Sequence, residues 1–335
     1  MYIYFLRRLL LIVPTLLGIT VITFAIIRWA PGEPAVLGGS SVEGAGGVGM
    51  EAVAKTQEIM RAKRELLGLD KSIPQQYLDW SIRVFTFDFG DSWSHNQPVT
   101  ELILDHISPT IQINILTIIV IYSLSIPLGV GQAVERGGLF DGTTTVASFL
   151  LYASPTYWIG PLLLIYFCNP EHLKWFPVGE LNSQFADRLP FFAWLRDRSY
   201  HLILPVFCQS YGGLAYLSKQ TRASLLENLR ADYVRTAIAK GVSPTGAVVV
   251  HALRNSLIPL ITIAAMILPA LIGGSIIIEN IFSIRGMGYL GFNAILQRDY
   301  PVVMATATFA AMLTLAALVL QDLIYAWLDP RVSYD

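Results

Sequence analysis

The sequence predicts an all-α integral membrane protein with six transmembrane helices, and two observations carry that prediction. Of 335 residues, 54% are hydrophobic and only 14% are charged, with a mean hydropathy of +0.54; a soluble domain carries about 25% charged residues. Six apolar stretches approach the roughly 20 residues that cross a hydrocarbon layer of ~30 Å at ~1.5 Å per residue. The net charge of −1 excludes a global attraction to nucleic acid. Two cysteines, Cys168 and Cys208, make no disulfide framework and have no metal-ligand spacing. They read as unpaired thiols in apolar surroundings.

The first stretch is Leu9–Trp29, behind Arg7-Arg8. Its apolar run from Leu9 to Ile27 has 19 residues, against about 7–15 in a secretory signal. No small-residue cleavage site follows, so residues 1–29 read as an uncleaved N-terminal transmembrane helix. Residues 30–108 form an extracytoplasmic segment. It opens with Pro31-Gly32-Glu33-Pro34, continues through a Gly/Ser-rich stretch at 38–49 that reads as flexible, and reaches an amphipathic run at Glu51–Leu67 that Gly68 stops. Residues 109–335 hold the remaining spans: Ile111–Val134, Val146–Phe167, Leu202–Leu217 (the least apolar, with Gln209), Leu257–Phe282 and Val302–Leu328. All but the last contain or begin with proline. Such residues are tolerated in a bilayer where neighbouring helices re-satisfy the freed carbonyls, which favours a bundle over independent anchors. The second outside loop, 168–200, carries Trp175, Phe176, Trp194 and Tyr200, suited to the aromatic belt at the membrane interface.

Orientation follows from basic residues near span ends. With the N-terminus inside, the cytoplasmic side receives Arg7, Arg8, Arg136, Lys219, Arg222, Arg230, Arg235, Lys240, Arg254 and Arg331. Both termini are therefore expected in the cytoplasm. Arg61, Lys63 and Arg64 lie in the long outside segment, where the rule has little force and where acids outnumber bases.

The cytoplasmic loop of about 219–255 is the most informative segment. Ala231 to Lys240 is a helix-forming run, and Gly241 sits where a helix turns through a left-handed residue. Ser243-Pro244 then supplies an N-cap and a proline at the first helical position. Helix, glycine turn and second helix make an elbow between two spans. Physics alone leaves open an ordinary basic loop obeying the positive-inside rule.

Tyr233-Val234-Arg235-Thr236-Ala237-Ile238-Ala239-Lys240-Gly241, followed by His251-Ala252-Leu253-Arg254-Asn255, resembles the cytoplasmic loop signature of ABC importer permeases. It is similar to the version in the dipeptide/oligopeptide/nickel permease family, where Arg235 and Arg254 replace the acidic start and terminal proline of other branches. Further pieces of the resemblance run along the chain in order: Arg7-Arg8-Leu9, Leu67-Gly68-Leu69-Asp70-Lys71, Gln76-Tyr77, Phe89-Gly90-Asp91-Ser92, Pro98-Val99, Glu279-Asn280-Ile281-Phe282-Ser283, Asp299-Tyr300-Pro301-Val302-Val303 and Asp329-Pro330-Arg331. The family's proline-glycine-leucine-glycine turn stands here as Arg285-Gly286-Met287-Gly288, without the proline. The stretch at 38–49 looks like an insertion.

The resemblance implies the fold of a type I ABC importer permease in a bacterial inner membrane, with the longer extracytoplasmic segment of the two paired permeases. It implies a binding-protein-dependent importer of di- or oligopeptides, with nickel complexes, glutathione or another small solute as alternatives. Implied partners are a second homologous permease, two ATPase subunits and an extracytoplasmic solute-binding protein. Asp232, Tyr233, Arg235, Thr236, Ala237, Lys240, Gly241, His251, Arg254 and Asn255 would form the ATPase-coupling loop. The chain has no Gly-rich loop ending in Gly-Lys-Ser/Thr, so it is not expected to be an enzyme or to hold a cofactor; ATP and Mg are expected on the partner ATPases.

Ionisable groups at membrane depth are functional candidates. Glu279 is a candidate lining residue of the translocation path, with snorkelling to the interface as the alternative; Asp322 reads as a structural pair. Gln112 and Asn114 read as polar glue between helices, and Gly273-Gly274-Ser275 as a point of close helix packing or a kink. An ion-coupled secondary transporter would show inverted repeats and broken helices around a midplane ion site; no repeat is visible. A membrane enzyme would need a catalytic set, and the five histidines are scattered.

Overall fold

A computed structural model describes residues 2–29, 61–62, 65, 68–267 and 273–328. The amphipathic run at Glu51–Leu67 and the insertion at 38–49 lie outside the described residues, apart from 61, 62 and 65. Gly68 does turn left-handed, with φ +64°. Among the described residues the structure is helical: α1 Tyr2–Trp29, α2 Ile73–Phe85, α3 Val99–Val134 and α4 Leu139–Ala153; α5 Thr156–Cys168, α6 Phe191–Asn228, α7 Asp232–Ala239 and α8 Pro244–Ser256; α9 Ile258–Ile267, α10 Ile276–Ile281, α11 Met287–Gln297 and α12 Tyr300–Leu328. An isolated antiparallel bridge joins Asp91 and Pro98.

Three helices are long and apolar enough to cross a membrane unbroken: Leu10–Trp29, Val99–Val134 and Tyr300–Gln321. Two further spans come as bent pairs. The third predicted span is not one rod: α4 and α5 meet at 96°. Pro155 is the cause. It drives Ser154 into extended backbone (φ −82°, ψ 120°), and the freed Ser154 carbonyl accepts the Tyr211 hydroxyl of α6 at 2.7 Å. The fifth starts with α9, which leaves α8 at 42°, and its outer part restarts at Ser275, whose hydroxyl accepts from the Ile278 amide at 3.3 Å. The fourth predicted span is the middle of α6, whose 38 residues extend about 57 Å. Polar residues at both ends hide this length from a hydropathy window.

The chain divides into two compact units. One comprises Met1–Ile107, Leu290–Ala316 and Tyr334–Asp335. Its core joins Phe24 and Ile27 of α1 to Met304 of α12, with Tyr77 and Trp80 of α2 packed alongside. Arg28 lies over the rings of Phe24 and Tyr300, 5.5 and 5.3 Å from their centroids, and its guanidinium donates to Gln76. The loop before α3 is pinned by buried Asp299. Its Oδ2 accepts from the hydroxyls of Ser92 and Ser94, both at 2.6 Å, and from the Ser94 amide at 3.0 Å.

The other unit comprises Ser108–Tyr289 and Ala317–Ser333. One cluster gathers Ile113, Leu202, Leu204, Val206, Ile278, Phe282 and Ile284 around the two cysteines, which are free and buried. Across α4 and α6, Arg222 grips Asp141 with Nε at 2.8 Å and Nη2 at 2.7 Å. The polar glue is where the sequence placed it: Arg198 donates to Gln112 Oε1 through Nε at 3.0 Å, and Gln209 donates to Asn114, each tying α6 to α3.

Candidate functional site

After α6 ends at Asn228, Leu229–Ala231 turn the chain, and α7 runs from Asp232 to Ala239. Gly241 takes φ +92°. Its amide donates to Ile238 O at 2.9 Å, and the Val242 amide reaches back to Ala237 O at 3.1 Å. These two bonds define a Schellman turn, which satisfies helix-end carbonyls and needs a left-handed residue at this position. Ser243 Oγ accepts from the Gly246 amide at 3.2 Å, with Pro244 opening the next helix. Thus α7 and α8 are two short rods with one fixed angle. Within α8, residues Ala247–Ala252 form a π turn, which the sequence did not signal; it contains the run Val248-Val249-Val250.

The elbow has an inner and an outer face. Val234, Ala247 and Ala252 are buried with Leu225 of α6 and Ala133 of α3. Ser224 and Ser256 exchange hydrogen bonds, Ser224 Oγ to Ser256 O at 3.1 Å and Ser256 Oγ to Ser224 O at 3.3 Å. The elbow is therefore fastened to the ends of α3 and α6. Of the predicted coupling residues, Asp232, Tyr233, Arg235, Thr236, Lys240, Gly241, Arg254 and Asn255 are exposed, and His251 is half-buried. Ala237 differs. It is buried beside Val234, one turn along the inner stripe, so it belongs to the packing and not to the exposed face. Ile238, Val249 and Val250 add exposed apolar surface; the sequence reading missed them because they look like ordinary core residues.

Glu279 neither snorkels nor faces outward; it is 2% exposed. Oε1 accepts from the Thr110 hydroxyl at 2.8 Å and the Ser275 amide at 3.3 Å, and Oε2 from the Tyr289 amide at 2.8 Å. Thr110 Oγ1 accepts in turn from the Met287 amide at 2.8 Å. The carboxylate thus caps the start of α11 from across the turn. Gly274 and Gly286 make room: a Cβ on Gly274 would stand 2.6 Å from Glu279 Oε1, and one on Gly286 2.5 Å from Glu279 Cδ. Gly273-Gly274-Ser275 is therefore both a break and a close approach. Of Asp322 only the helical backbone is described; its side chain lies outside the described residues. Among those residues, no cluster of His, Cys, Asp or Glu has metal-binding geometry.

Apolar helices of spanning length, bent pairs and an elbow fastened to two of the spans are the features of a multi-pass helical membrane protein. Residues 125–334 match the family of binding-protein-dependent transport system inner membrane components, and the chain belongs to that family. It is 35% identical to the oligopeptide transport system permease protein AppB of Bacillus subtilis, over 99% of both chains. It is 33% identical to the peptidoglycan transport system permease protein YejB of Agrobacterium fabrum, over 99% of this chain and 98% of that one. A probable peptide ABC transporter permease of Sinorhizobium fredii, y4tP, is 32% identical over the whole of both chains.

Proposed function

We propose that this chain is one permease subunit of an ATP-driven, binding-protein-dependent importer of di- or oligopeptides, forming half of the translocation path. Similarity along the full chain to permeases named for peptide transport supports the substrate class. The observation that carries the mechanism is the elbow: a rigid pair of helices, fastened by its inner face to α3 and α6, with Tyr233, Ile238, Val249 and Val250 exposed. Two separate ATPase subunits bind ATP and Mg and dock on that face. Their closure moves the elbow, and the elbow moves the spans it is fastened to. A second, homologous permease completes the path, and an extracytoplasmic solute-binding protein delivers the peptide.

In this reading both termini and the loop at 219–255 are cytoplasmic, residues 30–108 are extracytoplasmic, and residues 109–335 form the permease domain. The coupling residues are Asp232, Tyr233, Arg235, Thr236, Lys240, Gly241, His251, Arg254 and Asn255 on the outer side, with Ala237 supporting them from within. Glu279 serves the path by holding the start of α11 in place. The test is deletion of this chain in cells carrying the complete system. Uptake of a peptide bound by the cognate binding protein is expected to stop and to return with the gene. A binding protein that ignores peptides and holds a nickel complex or glutathione would overturn the substrate while leaving the architecture.

A further inference from the structure

We infer that the seam between α3 and α6 binds water inside the membrane-spanning part of the chain. Along α3, Thr110, Asn114, Thr117, Ser125, Gly129 and Gln132 recur at spacings of three, four or eight, so they share one helical face. That face is buried. Asn114 meets Gln209 of α6. A Cβ on Gly213 of α6 would lie 2.6 Å from Ile121 Cδ1, and one on Gly129 would lie 2.5 Å from the Ser218 carbonyl oxygen. Thr117 and Ser125 alternate with these contacts and point to the same side; Gln132 closes the stripe, donating to Thr144 of α4 at 3.0 Å.

A second observation turns this stripe into a site. Thr117 Oγ1, Ser125 Oγ and Gln132 Oε1 are buried and have no hydrogen-bond partner among the described residues; their residues are 5%, 0% and 0% exposed. Hydroxyls elsewhere in these helices turn to the carbonyl four residues back, as Ser123 does to Ile119 O at 2.5 Å and Thr221 to Leu217 O at 2.8 Å. Thr117 and Ser125 do not. Buried polar atoms are nearly always paired, with protein or with ordered water. The Ser218 carbonyl at this face supplies a further acceptor. Water, small and able both to donate and to accept, is the ligand that fits hydroxyls, a carbonyl and an amide oxygen spaced along one buried helical face. Bonds made through exchangeable water let α3 and α6 shift without baring a polar group. That consequence rests on the transport reading above.

The probe is ¹⁸O-labelled water in radiolytic footprinting of the assembled complex in lipid nanodiscs. Ile121 and Leu217 border the seam, whereas Ile115 and Ile119 are exposed on the outside of α3. Label at Ile121 and Leu217 several-fold above Ile115 and Ile119 is expected, falling to their level in the double variant Thr117→Val with Ser125→Ala. Equal labelling of all four residues in the unaltered complex overturns the inference. Uptake in the double variant is expected to fall several-fold with no loss of thermal stability; unchanged uptake despite lost label overturns the link to helix movement. A labelled seam in a complex that imports no peptide supports the water site and sinks the transport reading alone.

Discussion

Glu279 shows how an acidic side chain is held inside this protein without a cation. Its two oxygens collect a hydroxyl and two backbone amides from three parts of the chain. Exchanging it for glutamine turns one acceptor into a donor facing other donors. Glu279→Gln is expected to cost about 1–3 kcal/mol, read as a lower melting temperature of the purified complex. Asp197 behaves differently. Burial pushes its carboxyl up, but the Ser183 hydroxyl and amide, with His201 beside it, pull harder and hold it below the usual carboxylate range. A depressed native value stabilises the fold above the unfolded value of ~3.9 and is lost as pH falls through the native one. Thermal stability of Asp197→Asn should therefore fall short of the parent above about pH 4 and converge on it as pH falls further. The sequence announced Glu279 as an acid at membrane depth but not its donors, which lie ten residues or more away, with the one exception of Ser275.

At the level of elements, what was legible followed from glycine and proline. Gly241 advertised a left-handed turn because other residues resist that conformation by ~1–2 kcal/mol. Three further Schellman-type turns use ordinary residues, Phe87 at φ +56° and Ser283 and Arg298 at φ +51°; nothing local marks them, and all three went unread. Pro155 was visible as a proline but not as a 96° bend, since the angle depends on where α5 finds its packing. The elbow gives a paired prediction. Gly241→Val strains the turn and reorients α7 against α8, while the outer face keeps its residues. Ala237→Asp buries a carboxylate without a partner and should cost roughly 3–5 kcal/mol. Both variants should recover less ATPase on co-purification, but only Ala237→Asp should also lower the melting temperature by many degrees. Equal melting of the two variants would contradict the inner placement of Ala237.

For the whole molecule, the six apolar stretches were readable and their integrity was not: three are unbroken helices, two are bent or broken, and one is the middle of a longer rod. Sidedness is checked by single cysteines at Glu171 and Thr245, both exposed, in a background lacking Cys168 and Cys208. A membrane-impermeant maleimide applied to intact spheroplasts should label the first and spare the second. Synthesis order adds a constraint of another kind. Thr110 and Glu279 stand 169 residues apart, so at ~5–20 residues per second the later one leaves the ribosome roughly 8–35 s after the earlier. Throughout that interval α3 rests in the translocation machinery or the lipid with its hydroxyl unclaimed, and the turn that caps α11 does not yet exist. The pin is a late stitch in its unit, followed by Ala317–Ser333. Chains halted by a stop codon at Gly274 are expected to insert yet be degraded several-fold faster in pulse–chase than chains halted at Arg298, because a quality-control protease meets a bundle that has never been fastened.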